Sequence, residues 1–302
     1  MPHSQRPALS GLLLATAGAI AFSGKAIIVK LSYLYGVDAV TVIMYRMLFA
    51  LPFFIAMGLW AERQVIAREN PLTRRDVIDI VGLGFVGYYL SSYLDFLGLQ
   101  YITASLERLI LYLNPTLVVL LGWAVYKKPI HPIRMLAMAI SYSGVMLVFS
   151  HELSLAGANV ALGSSLVLAS AVSYAVYLLY SGQLVQRIGA LRLVGWATSV
   201  ACVCCIAQFL LLRPLSAAVV PVEVLWLGML NAVACTVAPV LMVMMAIERI
   251  GAALTAQTGM IGPMSTITLG VLLLDEPLNA WIGLGTMLVV GGVFIVSKYG
   301  AK

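Results

Sequence analysis

The sequence predicts an all-α integral membrane protein, with ten transmembrane helices in two inverted-topology five-helix repeats and both termini cytoplasmic. Three observations predict it: a composition too apolar for water, a succession of long apolar runs, and a self-similarity at a fixed offset. Of the 302 residues, 62% are hydrophobic and 10% charged, and the mean hydropathy is +1.01. A soluble domain carries roughly 25% charged residues, so this chain has too few to cover a water-facing surface. A lipid bilayer is its first expected partner. The same composition excludes a disulfide scaffold and a disordered chain. The net charge of +6 is accounted for by the loops, so no nucleic-acid partner is expected.

A bilayer-crossing helix needs about 20 predominantly apolar residues. Such runs occupy approximately Leu9–Leu31, Ala39–Trp60, Val77–Gly98, Ile102–Tyr126, Ile133–Ser150, Ala161–Ser181, Leu191–Leu212, Val222–Ala246, Ala252–Leu274 and Leu278–Ser297. Turn and polar residues punctuate them at Asn70-Pro71, Lys127-Lys128-Pro129, Arg213-Pro214 and Asp275-Glu276-Pro277. The runs are continuous and not alternating, which argues against a β-barrel. No connection is long enough for a separate domain. The first run follows Arg6 and contains small residues, like a secretory signal, but it is too long and is followed by further spans. It reads as an uncleaved helix.

Cytoplasmic loops collect Lys and Arg. With the N-terminus inside, the cytoplasmic set is Arg6, Arg63, Arg68, Arg74, Arg75, Lys127, Lys128, Arg134, Arg187, Arg192, Arg249, Lys298 and Lys302, against Lys30 and Arg213 outside. That imbalance places both termini in the cytoplasm, and the expected location is the inner (plasma) membrane. Aromatic anchors agree, with Trp60, Trp123, Tyr126 and Tyr299 inside and Tyr33, Tyr35, Trp226 and Trp281 outside.

Residues 1–150 and 151–302 read as two copies of one unit. An offset of 148 residues lays Ile102-Thr-Ala-Ser-Leu106 over Ile250-Gly-Ala-Ala-Leu254. It also pairs Pro115 with Pro263, Gly122 with Gly270, Pro129 with Pro277 and Gly144-Val145 with Gly292-Val293. Each copy carries an odd number of spans, so the second must cross the membrane in the opposite sense. Inverted repeats of this kind build many secondary transporters, whose substrate sites lie near the midplane between the halves.

With these features the chain resembles the EamA-type members of the drug/metabolite transporter superfamily. The likeness rests on the two five-helix halves, Pro115 and Pro263 inside the fourth and ninth spans, the Gly-rich fifth and tenth spans, and the turn Asp275-Glu276-Pro277-Leu278. It departs in having Ser23-Gly24 where a Trp-Gly pair is common, and Lys127-Lys128 at the acidic turn of the first half. The resemblance implies export of small metabolites, amino acids above all, by a protein that is not an enzyme and needs no cofactor.

Ionisable side chains inside a span are costly and mark cavities or partners. Lys25, Arg46, Asp95, Glu107 and Arg108 all fall within roughly 5–10 Å of the expected outer ends of their spans. The simplest arrangement has Lys25, Arg46 and Arg108 facing Asp95 and Glu107, with a surplus positive charge suited to a substrate carboxylate. Such a cluster either locks the first five helices together or meets a substrate. Glu107, desolvated, is the candidate group for protons as coupling ion.

Polar stripes run toward this layer. Tyr88, Ser92 and Asp95 share a helical face, as do Glu107 and Asn114, and Tyr174 with Tyr177. Gln257 lies near Pro263, and Pro115 and Pro263 are candidate bends or gates, since each removes a backbone donor. The Gly stretches Gly283-x-Gly285 and Gly291-Gly292 fit either tight internal packing or a homodimer face. His3, His131 and His151 lie in tails and loops, and Cys202 and Cys205 lack further ligands, so no metal site is expected. A polytopic enzyme and a channel or scaffold are the competing classes. No nucleotide-binding or hydrolase motif is present, and no filter-like carbonyl loop is evident.

Overall fold

The computed structural model describes residues 5–64, 70–127, 130–156 and 158–299, less the side chains of 5–8, 155, 156, 158, 183, 248, 252, 253, 256, 257 and 296–299. Among these residues every regular element is helical. Seven helices open the chain: α1 (Gln5–Tyr33), α2 (Ala39–Glu62), α3 (Arg74–Gly98), α4 (Ala104–Tyr126), α5 (Pro132–Ala156), α6 (Ala158–Ile188) and α7 (Ala190–Leu212). Next comes α8, Val222–Ile247. Gly251, with φ 80° and ψ 159°, breaks the helical stretch Ala238–Thr258. α9 resumes beyond it and includes Gly259–Leu274, and α10 is Ala280–Tyr299.

Among the described residues eight helices, α1 to α8, are long and apolar enough to cross a membrane, whereas Gly259–Leu274 and Ala280–Ile295 are shorter apolar helices. The expected ninth span is divided where the backbone tightens to a 3-10 turn at Gly259–Ile261. The expected tenth starts later because the chain stays extended until Ala280. The expected sixth run grows instead, since the helix continues to Ile188.

Helix starts are written in the local sequence. Asp38 caps α2, accepting from the Val40 amide at 3.2 Å and from Thr41 Oγ1 at 2.6 Å. Thr73 and Asp76 form a reciprocal capping box on α3, which satisfies two otherwise unpaired amides. Arg187 from α6 pairs with Asp76, and Arg192 from α7 pairs with Glu62 at the end of α2. These ion pairs tie the ends of distant helices together.

Departures from ideal helix recur at the offset of 148. A widened π turn occupies Phe85–Leu90 in α3 and another occupies Val233–Val237 in α8. In the second, Pro239 cannot donate to the Cys235 carbonyl and its ring crowds that oxygen, which a wider turn relieves. Asn114–Tyr126 and Gly262–Leu274 both carry a proline in their first turn. Both end on a left-handed residue, Lys127 (φ 54°) and Asp275 (φ 53°), the two non-glycine residues with positive φ among those described. The helix breaks therefore precede Pro115 and Pro263, at Tyr112-Leu113 and at Gly259–Ile261. A proline at a first turn removes an amide that would be unpaired anyway, so these two prolines start new segments and do not bend continuous ones. Pro129 lies outside the described residues.

Packing obeys the same correspondence. α1 lies against α8 and α9, as α6 lies against α3 and α4, while α2 pairs with α7 and α5 with α10. In lipid these contacts depend on close backbone approach at small residues more than on hydrophobic burial. Gly58 on α2 meets Gly195 on α7, and Gly144 on α5 meets Gly285 on α10. Two apolar clusters result. One is built on α1, α2, the end of α3, α7 and α8, and the other on α4, α5, α6, α9 and α10.

Candidate functional site

A cavity of about 520 Å³ lies along the seam between these two clusters, walled by side chains from α1 to α4 and α6 to α9. Eight of the sequence-predicted residues line it: Lys25, Arg46, Tyr88, Ser92, Asp95, Arg108, Asn114 and Tyr174. Glu107 and Tyr177 stand behind the wall and touch lining residues. Pro115 and Pro263 are not on the wall. The Gln257 side chain lies outside the described residues.

The expected five-charge cluster is only partly assembled. Lys25 Nζ bonds Asp95 Oδ2 and lies 3.2 Å from Glu107 Oε1, an ion-pair distance without hydrogen-bond alignment. Glu107 is fully buried. The two arginines do not join this group. Arg46 Nε donates to Thr236 Oγ1 at 3.0 Å and its guanidinium lies over the Phe96 ring, 5.2 Å from the centroid. Arg108 Nε donates to Thr266 Oγ1 at 2.9 Å. Residues at heptad spacing on one ideal helix share a face, but the break at Tyr112-Leu113 rotates Asn114 away from the Glu107 stripe. Asn114 lines the cavity and Glu107 does not.

The aromatic wall comes from α3 and α6. The Tyr88 and Tyr177 hydroxyls are 3.3 Å apart, the Tyr174 and Tyr177 rings stack at 5.6 Å, and Tyr88 meets Tyr177 edge-on at 4.9 Å. Gly87, inside the π turn, makes this possible, because a Cβ there would sit 2.4 Å from Tyr177 Cγ. Nearby, Ser173 Oγ donates to the Val86 carbonyl at 2.7 Å and Ser170 Oγ to the Ser91 carbonyl at 2.7 Å.

The cavity is polar at one end and apolar at the other. Along α1 it runs from Lys25 back to Ala15, along α8 from Thr236 to Ile247, and along α9 from Gly262 to Thr255. Beyond the charged end the helices are fastened together. Glu276, between α9 and α10, accepts from the Ala104 amide at 2.7 Å, the Ser105 amide at 3.3 Å and Ser105 Oγ at 2.8 Å, capping the start of α4. Thr103 Oγ1 donates to Glu152. Lys30 Nζ donates to the Ile102 carbonyl at 2.6 Å, and the Tyr33 hydroxyl to the Phe96 carbonyl at 2.5 Å.

Sequence reasoning missed the residues that hold the arginines, Thr236 and Thr266, since single threonines in apolar helices are ordinary packing residues. It also missed Tyr112, which lines the cavity and whose hydroxyl donates to the Gly259 carbonyl at the α9 break. The offset offered one signal: the break after Tyr112 in α4 recurs at Gly259–Ile261 in α9. Glu276 and Glu152 read as loop acids in the sequence. Among the described residues no group of three or more His, Cys, Asp or Glu side chains is placed to hold a metal ion. Cys202, Cys205 and Cys235 are buried free thiols.

A bundle of apolar helices around a cavity walled by charged and aromatic groups is the architecture of a polytopic membrane protein. The chain belongs to the EamA-like transporter family, which matches it twice, over residues 9–150 and 161–298. It is 31% identical to the uncharacterized transporter YcbK of Bacillus subtilis (strain 168), over 96% of this chain and 92% of the relative. A solved crystal structure covering 97% of this chain and 98% of its own shares the fold, with a TM-score of 0.60 at 17% identity.

Proposed function

We propose that the chain is a ten-span secondary-active exporter of small carboxylate-bearing metabolites, amino acids and related compounds, working by alternating access. In this reading its halves are inverted five-helix repeats and both termini lie on the cytoplasmic side of the inner membrane. Paired π turns, paired left-handed helix ends and reciprocal helix packing at one offset support the repeat. The odd number of spans in each half supplies the inversion.

The observation that carries the functional reading is the cavity, polar at its Lys25 end and apolar toward Ala15 and Ile247. The N-terminus and the Gly251 turn lie at the apolar end, which is cytoplasmic in this topology. The cavity then faces the cytoplasm, and the Glu276, Lys30 and Tyr33 hydrogen bonds seal the outer side. Alternating access would require that seal to open as the cytoplasmic end closes. Lys25 between two carboxyls offers a place where a proton entering from outside would weaken one ion pair, so protons are the proposed coupling ion.

The test is flux in proteoliposomes loaded with a candidate metabolite. Saturable counterflow supports a carrier, ohmic current indicates a channel, and absence of any flux leaves a scaffold or enzyme. Direction is tested in cells overexpressing the chain. Protection from a toxic amino-acid analogue supports export, and sensitisation overturns it.

A further inference from the structure

We propose that the cavity selects a small organic monoanion with an apolar or aromatic body and no ammonium group, its carboxylate attracted by the guanidinium groups of Arg46 and Arg108. This rests on the transporter reading and narrows its substrate class to carboxylates without an ammonium group, setting amino acids aside. The starting observation is that two guanidinium groups line the cavity without a carboxylate in direct contact. Among the described residues neither has a carboxylate within ion-pair distance, whereas Lys25, Arg187, Arg192 and Arg213 each do. Arg46 is only 7% exposed. Arg46 Nη1 and Arg108 Nη2 are buried and make no hydrogen bond. A buried unpaired charge is strongly unfavourable, and a buried donor left unsatisfied carries its full desolvation cost. A ligand carboxylate removes both.

The way each arginine is held favours this. Thr236 and Thr266 take the Nε–H of Arg46 and Arg108 respectively, leaving the terminal nitrogens for a ligand. Both arginines come from the first half of the chain and both threonines from the second. A carboxylate held by either guanidinium group would therefore bind where side chains of the two halves meet. Thr236 and Thr266 are positioning residues in this scheme.

Charge counting separates a monoanion from a zwitterion. Lys25, Arg46 and Arg108 against Asp95 and Glu107 leave one positive charge, which a monoanion neutralises and a zwitterion does not. An ammonium would need a free carboxylate on the wall. Asp95 is the carboxylate that lines the cavity; its Oδ1 has no partner, but its charge is already matched by Lys25 at Oδ2, and Glu107 is off the wall. The remaining wall, with Phe22, Tyr88, Tyr112 and Tyr174, suits an apolar or aromatic body.

The experiment uses three probes that share one ring and differ in charge: 3-phenyllactate, phenylalanine and 2-phenylethylamine. Each is titrated against the purified full chain in nanodiscs, with thermal stabilisation as the readout. Phenyllactate should bind tightest, and Arg46→Gln or Arg108→Gln should weaken it by roughly tenfold or more, as expected for a charged hydrogen-bonding group. Arg46→Lys and Arg108→Lys keep the charge without the planar fork; each should fold and still bind phenyllactate severalfold more weakly than wild type. Thr266→Val should shrink the preference for phenyllactate over phenylalanine, and Thr266→Ser should restore it, which a purely structural role would not do. Tighter binding of phenylalanine or phenylethylamine overturns the inference and leaves the transporter reading intact. So does phenyllactate binding that survives both Arg→Gln changes. Stabilisation by none of the three overturns the inference, and the transporter reading is then judged separately by saturable exchange of labelled amino acids in proteoliposomes.

Discussion

Glu276 Oε1 accepts a hydrogen bond from the Ala104 amide at 2.7 Å, joining residues 172 positions apart. The carboxylate sits at the start of α4, where unpaired amides and the helix dipole both favour an anion. Replacing Glu276 with Ala leaves the buried Ala104 and Ser105 donors unsatisfied. The expected loss is about 1–3 kcal/mol, read as a lower melting temperature of the purified protein. A cysteine placed at Ser105 should also become more reactive in that background. Gly270→Ala should act in the same direction, because its Cβ would lie 2.9 Å from Glu276 Oε2.

What was legible in the sequence was whatever depends on local pattern. Apolar run length located the helices, and the offset of 148 paired Pro115 with Pro263, each of which stands in the first turn of a new segment. The stripe Tyr88, Ser92 and Asp95 lines the cavity as its helical spacing predicts. The partners of the charges were not legible. Lys25, Arg46 and Arg108 looked equivalent by depth, yet only Lys25 reaches the carboxyls. Depth along a helix says nothing about azimuth, and which neighbour each side chain meets is set by the packing of separate helices. Glu276 was hidden for another reason: nothing near it in sequence shows that its turn folds back onto α4.

Gly292 and Gly291 are neighbours with opposite surroundings, which divides the two roles open to the glycines of α10. A Cβ at Gly292 would lie 2.2 Å from Ser141 Oγ and 2.5 Å from the Ala137 carbonyl, whereas Gly291 has nothing within 4 Å. Gly292→Ala should force α5 and α10 apart at a cost of about 1–3 kcal/mol. Gly291→Ala should be neutral or stabilise the helix by about 0.5–1 kcal/mol. Melting of the two variants side by side checks this. Equal effects would place both glycines on one contact face.

Asp38 and Arg213 should make the start of α2 sensitive to acid. Burial alone would raise the Asp38 carboxyl, but hydrogen bonds from Arg213 and Thr41 and the guanidinium charge outweigh it and hold the carboxyl below its usual range. A value lowered in the folded state means that its stabilisation is present above the unfolded value, near 4, and is lost as pH falls through the folded value. The pair is more than a third exposed on the Arg213 side, with side-chain exposures of 39% and 33%, so its worth is below about 1 kcal/mol. Asp38→Asn should lower the melting temperature slightly at pH 7, and the difference should shrink as the pH falls below about 4. A difference that grew on acidification would contradict the assignment.

Lys25 is the residue whose loss should be felt most. Among the described residues it is the one cation within ion-pair distance of both Asp95 and Glu107, and the two carboxyls are buried, at 2% and 0% exposure. Lys25→Met leaves two acids side by side without a counter-ion, and breaking a buried pair in this way costs about 3–5 kcal/mol. Neutralising the acids as well changes the balance, since a buried ion pair replaced as a whole is often nearly neutral. Lys25→Met combined with Asp95→Asn and Glu107→Gln should therefore recover most of the melting temperature. If the group carries the coupling proton, the recovered protein should exchange substrate without the pH dependence of the wild type. Recovery of stability together with an unchanged pH profile would place the proton elsewhere and leave Lys25 a purely structural tie between α1, α3 and α4.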